Sequence, residues 1–302
     1  MDKTQPSWDL YRTFLGVMRE GSLSGAARAL GLTQPTVGRH VDALEQATGL
    51  TLFIRTQQGL SPTQAALSLL PHAEALESTT AAFLRAASSQ GTGVSGTIRI
   101  TASDVVTVEV LPPILTELHV AYPELVIELV PSNRIEDLLQ READIAVRMQ
   151  RPTQGALIAR RIGNVELGLY AHREYIERRG KPARIGDLAD HALIGFDKET
   201  AFVRSMKNEV PWLQRESLAL RTDSDLATLA LLRAGFGITA CQVGIARRDP
   251  NLVRLFPKQI ALRLDTWLAM HEDLRDNPSC RVTFAALTEG LTRYVDSTRA
   301  HA

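Results

Sequence analysis

Gln34, Pro35, Thr36 and Arg39 bring together side chains suited to reading DNA bases. A Gln amide can pair with adenine, a Thr methyl can touch the thymine methyl, and an Arg can pair with guanine or a phosphate. They lie on the face opposite Val37, Val41 and Leu44, directly after a Gly31-Leu32-Thr33 turn. A solvated helix face would carry similar residues, but the start of a helix is where a recognition helix meets base edges. A second polar set follows short apolar runs farther along. It comprises Thr101, Ala102 and Ser103, then Ser132 and Asn133, Arg148, Phe196 and Asp197, Asp223 and Ser224, and Ala240 and Cys241. If those runs are parallel strands, these residues sit at carboxyl ends, where open α/β sheets bind small molecules. Hydroxyls at helix N-termini there can hold a carboxylate or phosphate. Asp104, Asp197 and Asp223 near the same mouth argue against assuming an anionic ligand, and each residue taken singly suits loop capping equally well.

Other chemistries fit poorly. Gly91-Thr92-Gly93-Val94-Ser95-Gly96 satisfies G-x-G-x-x-G but follows a helical pattern and precedes a strand, the reverse of a dinucleotide site. Gly21-Ser22-Leu23-Ser24-Gly25 has Leu at its centre and is no nucleophile elbow. His271-Glu272 continues to Arg275 where a zinc helix needs His. Cys241 has no adjoining base and reads as a small packed hydrophobe. No catalytic constellation, metal set or cofactor is expected, so the chain does not read as an enzyme.

Charge sets the scale of any DNA contact. The 302 residues hold 34 Lys plus Arg against 34 Asp plus Glu, a net charge of zero, which excludes binding by bulk charge. Between Arg12 and Ala65, five arginines against three acids leave only +2. One copy can neutralise few phosphates, so more than one copy is needed on DNA. Two cysteines are too few for a disulfide scaffold, no signal pattern opens the chain, and no apolar run approaches 18 residues. A soluble cytoplasmic protein without membrane contact is the expectation.

These residues require particular elements to position them. Tyr11, Phe14, Leu15 and Met18 share one helical face, and Leu23, Ala26, Ala27 and Leu30 share another. Ser22 caps the second helix, and Thr33 caps a third that ends at Gly49. Two helices joined by a short Gly turn make a helix-turn-helix, with an unspecialised helical corner as the plainer alternative. Leu52-Phe53-Ile54 and Leu60-Ser61 read as a small hairpin wing carrying Arg55. From Pro62 to Ala87 a heptad seam of Ala66, Leu69, Ala73, Leu76, Thr80, Phe83 and Ala87 predicts a long helix. It can pair with a second copy or pack on its own domain. Past the Gly/Ser-rich stretch at 88–96, strands at 97–102, 125–130 and 144–148 alternate with helices at 105–121 and 134–141. A second cluster has strands near 165–171, 192–196, 217–221 and 236–240 and a helix at 224–234. The chain returns at 267–270 and closes with a helix at 278–296. The strand-helix alternation of the first cluster predicts a parallel sheet covered by helices.

Residues 8–66 resemble the winged helix-turn-helix of LysR-type transcriptional regulators. The resemblance rests on Gly21-Ser22, Ala26-Ala27, Leu30, Gln34-Pro35, Val37, Leu44-Glu45, Gly49, Leu52-Phe53 with Arg55, and Thr63. Gly38 departs from the usual Ser and removes a phosphate donor, and Gln58 and Ala66 replace a common basic residue and a Gly. Tyr122-Pro123-Glu124, Asp144 to Arg148, Ala234 to Ile238 and His271 to Arg275 resemble the family's effector domain. The resemblance implies an α/β protein overall. Its expected parts are a winged helix-turn-helix over 1–66, a linker or dimerisation helix over 62–90, and a two-lobed periplasmic-binding-protein-like domain over 95–302. Lobe one takes about 95–163 and 268–302, and lobe two about 164–267.

The implied DNA contacts are Ser22, Thr33, Gln34, Pro35, Thr36, Arg39, Arg55 and Thr63. The implied effector contacts are Thr101, Ala102, Ser103, Asn133, Arg148, Phe196, Asp197, Ser224 and Cys241. A homodimer or homotetramer would read a pseudo-palindromic double-stranded operator while the C-terminal domain senses an unknown small-molecule effector. The alternative is a cytoplasmic two-lobed binding protein whose N-terminus is an oligomerisation arm.

Overall fold

The computed structural model describes residues 6–56, 59–88, 93–133, 143–152, 157–199, 203–204 and 214–299. Gln57 and Gln58 in the wing turn, the 89–92 part of the Gly/Ser stretch and the helix expected over 134–141 lie outside the described residues. The chain divides into two units between Leu84 and Arg85.

In the first unit, α1 (Trp8–Glu20), α2 (Leu23–Leu30) and α3 (Gln34–Thr48) follow one another. Each ends on a glycine, Gly21, Gly31 or Gly49, in the left-handed conformation that lacks a Cβ penalty. Phe14, Leu15 and Val17 from α1 meet Ala26 and Ala27 from α2 and Val37, Val41 and Leu44 from α3 in one core. β1 (Phe53–Thr56) and β2 (Gly59–Pro62) form an antiparallel wing, pairing Arg55 with Leu60. The wing is tied down at both ends. The Leu60 amide donates to the Gly21 carbonyl at 3.0 Å. The Glu45 carboxylate accepts the Leu52 and Phe53 amides at 2.6 and 3.2 Å.

Next, α4 (Gln64–Ser88) runs through Pro71. The heptad seam divides along it. Ala66 and Ala73 are buried in the helix-turn-helix core, so the first turns pack on their own domain. Leu76 and Phe83 are 44% and 71% exposed.

The second unit is a nine-stranded mixed sheet with helices. In chain order it contains β3 (Gly96–Ala102), α5 (Asp104–Glu109), α6 (Leu111–Ala121), β4 (Leu125–Pro131), β5 (Ile145–Arg148), β6 (Leu157–His172) and α7 (Arg173–Arg179). β7 (Leu193–Gly195), β8 (Leu218–Arg221), α8 (Asp225–Arg233), β9 (Ile238–Gln242) and α9 (Val243–Ala246) come next. β10 (Leu252–Leu255), β11 (Leu262–His271) and α10 (Pro278–Arg299) complete it. Strand order is β4-β3-β5-β11-β6-β9-β7-β8, with β10 on β6.

The parallel pairing expected of the strands at 97–102, 125–130 and 144–148 is found, and the sheet as a whole is mixed. β3 pairs parallel with β4 and β5, and β7 with β8 and β9, but β11 and β6 run antiparallel to their neighbours. These two long strands lie between the β4-β3-β5 group and the β9-β7-β8 group, and their register shifts between Thr266 and Trp267. The single helix expected over 105–121 is two, broken at Val110, because the Pro112 ring suits the first turn of a new helix and not an interior. β10 and α7 had no distinct signal in the sequence.

Among the described residues, no helix is long and apolar enough to cross a membrane. No group of three or more His, Cys, Asp or Glu among them could hold a metal ion.

Candidate nucleic-acid interface and effector cleft

The fold turns the start of α3 outward. Thr33, Gln34, Pro35 and Arg39 are exposed and Thr36 is half-buried, while Val37, Val41 and Leu44 face the core. Thr33 caps the helix. Its hydroxyl oxygen lies 2.8 Å from Thr36 Oγ1 and accepts the Thr36 amide at 3.4 Å. Arg39 donates to Thr36 Oγ1 at 3.4 Å, so one hydroxyl links the cap to the guanidinium. Gln34 is exposed and has no side-chain hydrogen bond among the described residues.

Ser22 caps α2 by accepting the Gly25 amide at 3.1 Å, which leaves its own O–H able to donate. Arg55 is exposed on β1. Thr63 is different. Its hydroxyl donates to the Thr51 carbonyl at 2.8 Å and accepts the Ala66 amide at 3.2 Å, so it is committed to starting α4.

In the second unit, one group of expected residues converges at the ends of β3, β4 and β5. Arg148 donates to Thr101 Oγ1 at 3.2 Å and to the Val147 carbonyl at 3.0 Å. The Ser132 amide donates to the Ala102 carbonyl at 2.8 Å. Asn133 accepts the Asp104 amide at 3.3 Å and donates to Asp225 Oδ2 at 3.4 Å, joining the start of α5 to the start of α8. Ser103 precedes α5 without a side-chain cap bond, whereas Ser224 caps α8 by accepting the Ala227 amide at 3.2 Å.

Asp197 pairs with Arg215 at 2.8 Å, beside the half-buried Phe196. Asp223 accepts the Lys198 and Asp197 amides at 2.9 and 3.2 Å, and the Lys198 bond leads in holding its carboxyl below the ordinary range. Two of the three acids noted at the mouth, Asp197 and Asp223, are therefore already compensated, whereas Asp104 is not. Ala102 and Cys241 belong to the hydrophobic core, where their side chains are not presented to solvent. Burial pushes the Cys241 thiol up to about 12, so it stays protonated and unreactive at neutral pH.

Spacing gave no hint of the contacts along α5 and α8. Glu109 and Arg233, 124 residues apart, form a two-pronged ion pair at 2.7 and 3.0 Å. Arg248 donates to the Glu109 carbonyl. At the other end Asp225 faces Asp104. Burial raises the Asp225 pKa most, the Asp104 charge adds to it, and the Asn133 bond opposes it.

A carboxyl whose pKa is raised in this arrangement favours it at low pH. That contribution is complete below the unfolded value of about 3.9 and is lost as pH rises through the folded pKa. Asp225→Asn is therefore expected to raise the melting midpoint at pH 7 and to shrink the midpoint difference between pH 7 and a pH close to the unfolded value of about 3.9. An unchanged difference would remove Asp225 from the pH response.

Comparison with known proteins bears on both units. The family model for bacterial regulatory helix-turn-helix proteins of the lysR family matches residues 8–67. The model for the LysR substrate binding domain matches residues 91–292. The chain is 30% identical over 275 residues to the Mau operon transcriptional activator of Paracoccus denitrificans, covering 91% of this chain and 93% of that one. It is also 30% identical over 185 residues to an HTH-type transcriptional regulator of Xanthomonas campestris, covering 61% of this chain and only 54% of that protein. Similarly, it spans 61% of the regulator CrgA of Neisseria meningitidis, with 28% identity over 61% of this chain.

Solved structures agree in fold. CbnR, a LysR family regulator complexed with its target DNA, matches with TM-score 0.66 at 19% identity, covering 97% of this chain and 99% of that one. AphB, the Vibrio cholerae virulence activator, matches with TM-score 0.61 at 23% identity, covering 94% and 99%. The chain belongs to the LysR family of bacterial regulators, with an N-terminal helix-turn-helix and a C-terminal α/β effector-type domain.

Proposed function

We propose that the protein is a sequence-specific transcription regulator acting in the cytoplasm, and that it grips a pseudo-palindromic operator as a homodimer or homotetramer. The observation that carries this reading is the outward start of α3, with Gln34, Pro35 and Arg39 exposed over a buried Val37-Val41-Leu44 face. Such a surface suits the major groove, with Gln34, Thr36 and Arg39 reading bases. Ser22, Thr33, Arg55 and the Thr63 turn would hold the sugar-phosphate backbone.

The second copy would pack along α4, where Leu76, Phe83 and Leu84 are 44%, 71% and 62% exposed. Exposed apolar residues at heptad spacing suit a helical partner of the same kind. A small-molecule effector would enter between the lobes, contacting Thr101, Ser103, Asn133 and Arg148 on one side and Phe196, Asp197 and Ser224 on the other. Its binding would shift the lobes and thereby the spacing of paired DNA-binding heads. The relatives' names, an operon activator and a regulator complexed with target DNA, support this reading.

The test is a band shift with DNA from upstream of the gene against a scrambled duplex of equal length. Preferential retardation of the upstream DNA is expected. Equal binding to both, or none, leaves only a two-lobed binder. Arg55→Ala is expected to weaken binding to every duplex and to lower the salt slope by about one unit. If the slope stays put, Arg55 contacts no phosphate.

A further inference from the structure

Gly38 lies in the interior of the recognition helix, where glycine destabilises relative to residues with a side chain. The fold does not require it. A Cβ there would meet only Leu23 Cδ1, at 3.8 Å, an ordinary van der Waals contact. Its φ is not among the positive ones, so its backbone conformation is open to any residue. One turn on, at i+4, stands Asp42, exposed and without an ion pair among the described residues.

The charged side chains of α3 are Arg39, Asp42 and Glu45. Glu45 is committed to the Leu52 and Phe53 amides. The outward face of the helix therefore balances one cation against one anion. A surface made only to hold DNA would carry donors and cations at both positions, because phosphate contacts supply affinity irrespective of sequence.

We propose that Gly38 and Asp42 form a specificity filter: a bare position followed by a negative one, which keep sequence-independent attraction to the duplex low. Discrimination then rests on Gln34, Thr36 and Arg39, whose contacts depend on the base presented. Asp42 repels any backbone that is not held off by a well-seated recognition helix, and Gly38 offers no hydroxyl to a phosphate. Affinity is sacrificed and the ratio between right and wrong sites is increased, which is the quantity that matters against a genome of competing sites. This filter rests on the DNA-reading role proposed above for the same helix.

The experiment measures full-length protein on its own upstream duplex and on a scrambled duplex over a salt series, for wild type, Asp42→Asn and Gly38→Ser. Melting midpoints establish that both variants fold. Each variant is expected to bind scrambled DNA about 3- to 10-fold more tightly at low salt, the scale of one additional phosphate contact, while gaining less on upstream DNA. The specificity ratio therefore falls. A ratio that is unchanged or higher in both variants overturns the filter. Loss of upstream binding alone in Asp42→Asn also overturns it, since Asp42 would then be reading a base. If wild type itself fails to distinguish the two duplexes, the DNA-reading role is wrong, and the filter falls with it.

Discussion

Arg85→Ala is expected to destabilise the C-terminal unit by about 3–5 kcal/mol, the cost of removing one partner from a buried ion pair. Arg85 Nε and Nη2 donate to the two oxygens of Asp144 at 2.9 and 3.2 Å, with side chains only 10% and 4% exposed. Asp144 also accepts the Arg99 amide at 2.8 Å, so its carboxylate is held between the end of α4 and β3. Without the guanidinium that charge would stay buried with one backbone donor. Arg85→Lys should lose less, because it keeps the charge but not the paired donors. Denaturant unfolding of the three proteins is the measurement, and a loss below about 1 kcal/mol for Arg85→Ala would show that water replaces the guanidinium. A C-terminal fragment beginning at residue 91 lacks Arg85 and should show the same deficit. Ligand screens by thermal shift, which detect binding through stabilisation, are therefore best done with the full chain.

The second large effect is on recognition. Gln34→Ala is expected to cost about 1–3 kcal/mol on the preferred operator and to relax preference at one base pair, with no change in stability because the side chain is exposed. Thr36→Ala should do the same and also release Arg39, which donates to the Thr36 hydroxyl. Its effect should therefore spread to a second base pair. Competition binding against a panel of single-base operator variants separates the two. Equal weakening on specific and random DNA would mean that neither side chain reads a base.

The first unit was largely legible because its determinants are local. Gly21, Gly31 and Gly49 end three helices, Ser22 and Thr33 start two, and apolar residues at helical spacing form the buried faces. The carboxyl ends of β3 and β5 were legible too, since an apolar run followed by a polar residue marks a strand end. The role of Glu45 was hidden, because its bonds to Leu52 and Phe53 depend on how the chain after Gly49 turns back. The heptad seam announced the long helix but not what covers each half of it. Its first half is buried at Ala66 and Ala73 by the domain's own core, and periodicity does not distinguish one apolar partner from another.

The sequence by itself determined the helix-turn-helix, the wing, the polar residues that open α3 and the class of regulator, since each depends on residues a few positions apart. Only the tertiary structure decided that β6 and β11 pair antiparallel at the middle of the sheet, that Arg85 locks onto Asp144, and that Glu109 meets Arg233 while Asp104 opposes Asp225. The physical reason is range. Turns, caps and helical faces are set by steric and hydrogen-bonding preferences within one or two turns of chain. Ion pairs between residues 59 and 124 positions apart exist only after the sheet has brought distant strands and helices together.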